Sequence, residues 1–192
     1  MNFEEAVMPH LDAAYNLARW LTRNEDDAQD MVQEAYLRAL RFFGGFHGTD
    51  ARAWLLTIVR NTCYTWLKRS RSAELSGDFD EVVLTKESDE LDPEASHVLK
   101  VRAQLVNEAI EKLPIEFREV VILRELEELS YKEIASITGI PIGTVMSRLS
   151  RARKRLFVCL RGGARANSSD RVVKHKRPAI TTRIDLVHAG NK

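Results

Sequence analysis

The sequence predicts an all-α protein of two small helical domains joined by an acidic, flexible linker. Three observations carry this. Only 5 Pro and 9 Gly interrupt 192 residues, and no stretch sustains an alternation of apolar and polar side chains. Apolar residues recur instead at three- and four-residue intervals, the spacing that lines one face of a helix. Between residues 73 and 97 that period lapses, and nine acidic residues stand against one basic. With 44% hydrophobic residues the flanking segments can bury real cores.

The domain boundaries follow as 1–72, a linker 73–97, a second domain 98–161 and a basic tail 162–192. A first helix spans roughly Asn2–Thr22 and bends or breaks near Pro9. A second runs from about Asp26 to Phe43, with Ala28, Met31, Val32, Ala35, Ala39 and Phe43 as its apolar stripe. The glycine-containing loop 44–49 precedes a third helix, capped by Thr49 or Asp50 and reaching about Arg71. Beyond the linker, Val98–Lys112 carries the stripe Val106, Ala109, Ile110 and Leu113. Pro114 opens the next helix in its first turn, and that helix ends near Glu128. Ser130-Tyr131-Lys132-Glu133 is a capping box for a short helix to Thr138. The turn Gly139-Ile140-Pro141 leads into a final helix from about Ile142 to Leu160, which Gly162-Gly163 is expected to stop. In the tail, Ile180–Val187 is a candidate short element.

Two helices joined by a short glycine-containing turn form a helix-turn-helix, whose second helix can enter the DNA major groove. At 100° per residue, Val145, Leu149, Ala152 and Leu156 fall within about 60° of one another and face the core. Gly143, Ser147, Ser150, Arg151 and Lys154 lie opposite, flanked by Arg148 and Arg155 on one side and Met146 and Arg153 on the other. Small residues permit close approach to base edges, arginine pairs bidentately with guanine, and lysine neutralises phosphate. Thr144, Met146, Ser147, Arg148, Ser150, Arg151, Lys154 and Arg155 are the candidate DNA contacts of this helix.

The net charge of +1 conceals alternating blocks: −6 over residues 1–34, +6 over 35–72, −10 over 73–128 and +11 over 129–192. Two basic blocks imply two polyanion contacts. On the third helix, Leu55, Leu56, Ile58, Val59, Cys63, Trp66 and Leu67 fill an apolar arc. The other sector carries Thr57, Arg60, Asn61, Tyr64, Lys68 and Arg71. Cations, an amide and an aromatic together suit single-stranded nucleic acid, whose bases stack while its phosphates follow the charges. Phe46 and His47, in the preceding loop, can cup an unstacked base; alternatively, Phe46 and Tyr64 complete the core.

On the second helix, Asp30, Gln33, Glu34, Leu37 and Arg41 form a stripe beside the apolar one. It is either solvated surface or a protein-docking face, and Leu37 exposed among polar groups favours docking. Cys63 and Cys159 have neither metal-ligand spacing nor the number for a disulfide framework, so each is expected as a small buried hydrophobe. No apolar run reaches a membrane span and no export signal precedes the first helix, which implies the cytoplasm. P-loop, HExxH, CxxC and dinucleotide glycine patterns are all missing, so no catalytic residue, metal or cofactor is expected.

Four stretches carry a resemblance: Asp27-Ala28-Gln29-Asp30-Met31-Val32-Gln33-Glu34-Ala35; Trp54-Leu55 with Arg60-Asn61; Leu129-Ser130-Tyr131-Lys132-Glu133-Ile134-Ala135; and Pro141-Ile142-Gly143-Thr144-Val145-Met146-Ser147-Arg148-Leu149. In this order they resemble extracytoplasmic-function sigma factors over roughly residues 5–72 and 100–160. The resemblance implies that Asp30, Gln33 and Glu34, with Leu37 and Arg41 as neighbours, dock on the clamp helices of the polymerase beta-prime subunit. It implies that the Trp54–Arg71 helix and its preceding loop recognise and melt the minus-ten element, with Asn61 at the base-reading position. The C-terminal domain would read the minus-thirty-five element and touch the beta flap, while the acidic linker threads through the core enzyme. An anti-sigma factor is the implied inhibitor. Thr65 stands where many members carry Asp, and Met146 where some carry Arg, so individual promoter contacts do not transfer wholesale. The alternative is a helix-turn-helix regulator acting without polymerase. Such proteins usually dimerise, and no dimerisation heptad is visible.

Promoter elements some 20 base pairs apart lie about 70 Å apart along the duplex. A linker of about 25 residues spans at most ~85 Å, and only ~25–30 Å as a random coil. Simultaneous contact needs it drawn out, so the free chain is expected to bind promoter duplex poorly until core polymerase aligns the domains.

Overall fold

The structure, a computed structural model, describes residues 2–48, 50–74 and 95–166, with side chains described through residue 70 and from 101 to 161. Among the described residues it is helical throughout and holds no strand. Most of the expected linker, Thr49 as a cap and the Ile180–Val187 element lie outside the described residues.

The first bundle opens with α1 (Phe3–Val7) and α2 (Leu11–Thr22), separated by the 3-10 turn Met8–His10 that contains Pro9. The expected bend is thus a break, placed where proline cannot donate to the helical ladder. α2 ends at Arg23, whose left-handed φ of 63° turns the chain into α3 (Glu25–Phe42). Asn24 caps α3: its Oδ1 accepts from the Asp26 and Asp27 N–H groups at 2.8 and 3.1 Å. α4 (Ala51–Glu74) begins at Asp50, whose Oδ1 accepts from the Ala53 N–H at 2.9 Å. α2, α3 and α4 pack on one another, with α1 against α4. Ala14, Leu17, Ala28, Ala35, Leu55, Leu56 and Val59 lie buried among them.

The second bundle comprises α5 (Ala95–Glu111), α6 (Ile115–Val121), α7 (Tyr131–Thr138) and α8 (Ile142–Ala166). Pro114 caps α6 from one position before its first turn, its carbonyl accepting from the Phe117 and Arg118 N–H groups. A π-helical turn, Ile122–Leu126, continues α6. The capping box before α7 is formed: Ser130 Oγ accepts from the Glu133 N–H at 3.2 Å, and Glu133 Oε2 accepts from the Ser130 N–H at 2.7 Å. A cap of this kind is worth about 1 kcal/mol. Ser130→Ala is therefore expected to lower unfolding free energy by about that amount, read as a lower urea midpoint at constant m-value. Gly139 ends α7 at φ +69°, a conformation that glycine adopts without the Cβ penalty.

Two expectations are corrected here. α8 runs through Gly162-Gly163 to Ala166. Glycine keeps its N–H and disfavours a helix by only about 1 kcal/mol, so it stops one only when it takes the left-handed conformation. Cys63 is buried as expected, and burial pushes its thiol up to about 12. Cys159, by contrast, is exposed. It follows Leu156 on the core face of α8, but the helix has by then outrun its packing partners, leaving Phe157, Val158 and Leu160 exposed as well.

The bundles are not separate bodies. α6 packs on α2 and α7 on α4, and their buried side chains form one continuous core.

Candidate nucleic-acid interface

α8 splits as its periodicity requires. Val145, Leu149, Ala152 and Leu156 are buried against α5, α6 and α7. Met146, Ser147, Ser150, Arg151, Lys154 and Arg155 are exposed, with Thr144 and Arg148 half-buried beside them. The Ser147 hydroxyl donates to the Thr144 carbonyl at 3.0 Å, which leaves its oxygen free to accept. Arg153 is drawn off to Glu125 at 2.7 Å, and the Arg155 guanidinium lies 4.9 Å over the Phe117 ring. The outward row from Ser147 to Lys154 presents hydroxyls and cations to solvent.

α4 presents its polar sector differently from the expectation. Asn61 and Lys68 are exposed, and the half-buried Thr57 donates to the Ala53 carbonyl at 2.7 Å. Arg60 and Tyr64 do not form an open face: both are turned onto the second bundle. Arg60 Nε donates to Glu119 Oε1, the Tyr64 hydroxyl donates to Glu119 Oε2 at 3.2 Å, and the guanidinium lies 4.5 Å over the Tyr64 ring. The loop candidates separate too. Phe46 lies 4.7 Å from Trp54 and 6.0 Å from Phe43, ring to ring, and so extends the aromatic cluster, whereas His47 is exposed. Of the two alternatives for Phe46 and Tyr64, this arrangement matches packing for both.

Three residues at this junction escaped the sequence reading. Glu119 is fully buried, and burial pushes its carboxyl above the ordinary range although the Arg60 hydrogen bond opposes the shift. Burial likewise raises the Tyr64 phenol, with the Glu119 charge adding to it. Glu127, also buried, pairs with Arg52 at 2.6 Å and accepts from Asn16 Nδ2 at 3.3 Å. Eight residues of α-helix would leave Glu127 about 80° away from Glu119. The wider π turn between them rotates each residue by less, which brings both carboxylates to the first bundle. Arg118 Nη1 donates to the Trp20 carbonyl at 2.8 Å. Its Nη2 donates to the carbonyls of Glu111 and Leu113 at 3.1 and 2.8 Å. The one signal in the sequence was an adjacent Arg118-Glu119 pair inside the otherwise apolar run of α6.

On α3, Asp30, Gln33, Glu34, Leu37 and Arg41 are all exposed on one side. Leu37 is 58% exposed, and Glu34 pairs with Arg38 at 2.7 Å. Leu40 and Phe42 extend the apolar surface at the same end of the helix. Among the described residues, no helix is long and apolar enough to cross a membrane, and no cluster of His, Cys, Asp and Glu could hold a metal ion.

Comparison with known proteins matches sigma-70 region 2 to residues 6–73 and sigma-70 region 4 to residues 103–156. The chain is 34% identical over 158 residues to the ECF RNA polymerase sigma factor SigE of Mycolicibacterium smegmatis; the match takes in 81% of this chain and 60% of that one. It is 37% identical over 137 residues to the ECF RNA polymerase sigma-E factor of Escherichia coli K12, covering 68% and 72% of the two chains. Among solved structures, the sigma factor RpoE of Bartonella quintana, crystallised with the anti-sigma factor NepR, superposes with a TM-score of 0.65. That pair is 33% identical, over 83% of this chain and 96% of the other. CnrH, solved with the cytosolic domain of CnrY, shares the fold at a TM-score of 0.58. The paired regions, their order and the outward face of α8 make this chain a member of the ECF RNA polymerase sigma factors.

Proposed function

We propose that the chain binds core RNA polymerase and directs it to specific promoters, without catalysing a reaction of its own. The observation that carries this is the division of α8. One face is locked into the core by Val145, Leu149, Ala152 and Leu156, so the opposite face must hold Ser147, Ser150, Arg151 and Lys154 outward. Residues 1–72 supply polymerase docking and minus-ten recognition, and 98–161 supply minus-thirty-five recognition. Docking falls to Asp30, Gln33, Glu34, Leu37 and Arg41 against the beta-prime clamp helices, with the second domain against the beta flap. His47, Thr57, Asn61 and Lys68 form the minus-ten surface, with Arg60 and Tyr64, held on Glu119, along its edge. Phe46 stiffens the loop beneath it. The acidic segment 73–97 is the connection drawn through the enzyme, and the site of action is the cytoplasm. A relative solved with an anti-sigma factor supports control of this chain by such a protein.

Run-off transcription with core polymerase on a promoter library tests the reading. Product from a defined subset of promoters supports it; no holoenzyme and no product in any buffer would end it. Within that assay, Arg151→Ala is expected to weaken discrimination at one promoter position by about 1–3 kcal/mol. A uniform loss across sequences would reassign Arg151 to phosphate.

A further inference from the structure

We propose that Ile142 and Met146 form an apolar edge on α8 that reads the C5-methyl group of thymine in the major groove, so that the minus-thirty-five element carries a thymine, on one strand or the other, opposite this edge. The inference deepens the reading of α8 as the promoter-reading helix and rests on it. Ile142 is 45% and Met146 52% exposed, and one helical turn separates them, which leaves them about 40° apart around the helix. Apolar side chains scattered singly over a surface are ordinary. These two adjoin, and their exposure differs in kind from that of Phe157 and Val158, where α8 has outrun its partners. Val145 and Leu149, on the same turns, are buried, so packing fixes the rotation that turns Ile142 and Met146 outward.

Position decides what such an edge can meet. The N-terminal residues of a recognition helix are the ones that reach base edges, and Ile142 opens α8. Gly143 beside it has no side chain, and a Cβ there would meet no atom within 4 Å, so the first turn can lie close against a groove floor. Ser147, Ser150 and Arg151 continue the exposed face with hydroxyls and a cation, and Lys154 and Arg155 add charge beyond them. On the Met146 side, Arg153 is already paired with Glu125 at 2.7 Å. Charge therefore gathers away from Ile142 and Met146, and the apolar edge is left for the bases. Adenine, guanine and cytosine present donors and acceptors in the major groove, whereas thymine adds a methyl group. An isoleucine or methionine pressed on a polar base edge strips it of water and returns no hydrogen bond. Against the thymine methyl the same approach buries carbon on carbon, and the flexible, polarisable methionine adapts to its shape.

The test uses holoenzyme, assembled from core polymerase and the full-length chain, on a promoter recovered from the library. Each thymine of the minus-thirty-five element, on both strands, is replaced in turn by deoxyuridine, which removes the methyl group and keeps the pairing and every donor and acceptor. Competition binding reads the ratio of affinities for the thymine and deoxyuridine promoters. Removing one buried methyl is expected to weaken binding about fourfold, at one position or at two neighbouring ones. The double variant Ile142→Ala, Met146→Gln is expected to bind both promoters alike at that position, whereas Met146→Leu, apolar and of similar volume, keeps the discrimination. A merely structural role for either residue would weaken binding to both promoters equally and leave the ratio unmoved. An element without thymine, or indifference to deoxyuridine at every position, overturns the apolar edge and leaves the sigma-factor reading standing. So does a deoxyuridine effect that persists undiminished in the double variant, or one that Met146→Leu also abolishes. Absence of holoenzyme or of any transcript removes that reading instead, and this inference with it.

Discussion

Leu149→Ala is expected to lower the free energy of unfolding by about 2–5 kcal/mol, the range for emptying a buried leucine site. Leu149 is fully buried at the centre of the core face of α8, between Val145 and Ala152, where the helix meets α5, α6 and α7. Three packed helices cannot all move inward to fill the space, which places the expected loss in the upper part of that range. Domains of this size are commonly stable by 5–15 kcal/mol, so the substitution removes a large share of the total. Two controls fix the interpretation. Leu149→Met keeps volume and should lose less than about 1.5 kcal/mol. Ser150→Ala, one residue along on the exposed side, should stay within about 0.5 kcal/mol. Guanidinium chloride unfolding followed by helicity reads all three. Equal effects at 149 and 150 would mean that α8 is rotated from the orientation that the proposed promoter-reading face requires.

That contrast between adjacent residues was legible in the sequence because a helix repeats every 3.6 residues and its core face is apolar. Equally local patterns recover the stripe of α3, the cap of α7 and the turn at Gly139, each of which depends on residues close together in the chain. Legibility failed where an outcome depends on what a distant segment does. Cys159 continues the core periodicity of α8 yet is exposed, because a helical pattern does not reveal where the partner helices end. Arg60 and Tyr64 were placed correctly on the polar sector of α4, but no local pattern says that a polar sector will meet Glu119, 59 and 55 residues further on. Charge blocks point the other way: the two basic blocks imply separate polyanion contacts, and in the folded chain part of that charge is neutralised between the bundles. The exposed stripe of α3 is the converse case. Asp30, Gln33, Glu34, Leu37 and Arg41 remain exposed, uncovered by the second bundle.

Arg118→Met is expected to destabilise the protein by about 2–4 kcal/mol and to loosen α2 from α6. Two effects compete. Burial lowers the Arg118 guanidinium to about 10, with repulsion from Arg23 adding to the shift, so its charge is held at a cost that methionine relieves. Against this, the guanidinium serves three backbone carbonyls, of Trp20, Glu111 and Leu113. The Glu111 carbonyl keeps a second donor, Arg23 Nη2 at 2.6 Å. Those of Trp20 and Leu113 lose the guanidinium, and an unpaired buried polar group costs about 1–3 kcal/mol each. Two such losses outweigh one relieved charge, which fixes the sign. Lysine separates charge from shape: Arg118→Lys keeps the cation, but a single ammonium cannot span carbonyls on two helix ends, so recovery should be partial. The depressed proton affinity adds a pH signature. Because the folded chain releases this proton more readily than the unfolded chain, stability tied to Arg118 should rise, not fall, as pH climbs above about 10, provided the rest of the fold survives there. A methionine variant as stable as the wild type, with unchanged hydrogen exchange at the end of α2, would show that water replaces the guanidinium and that Arg118 does not tie the bundles together.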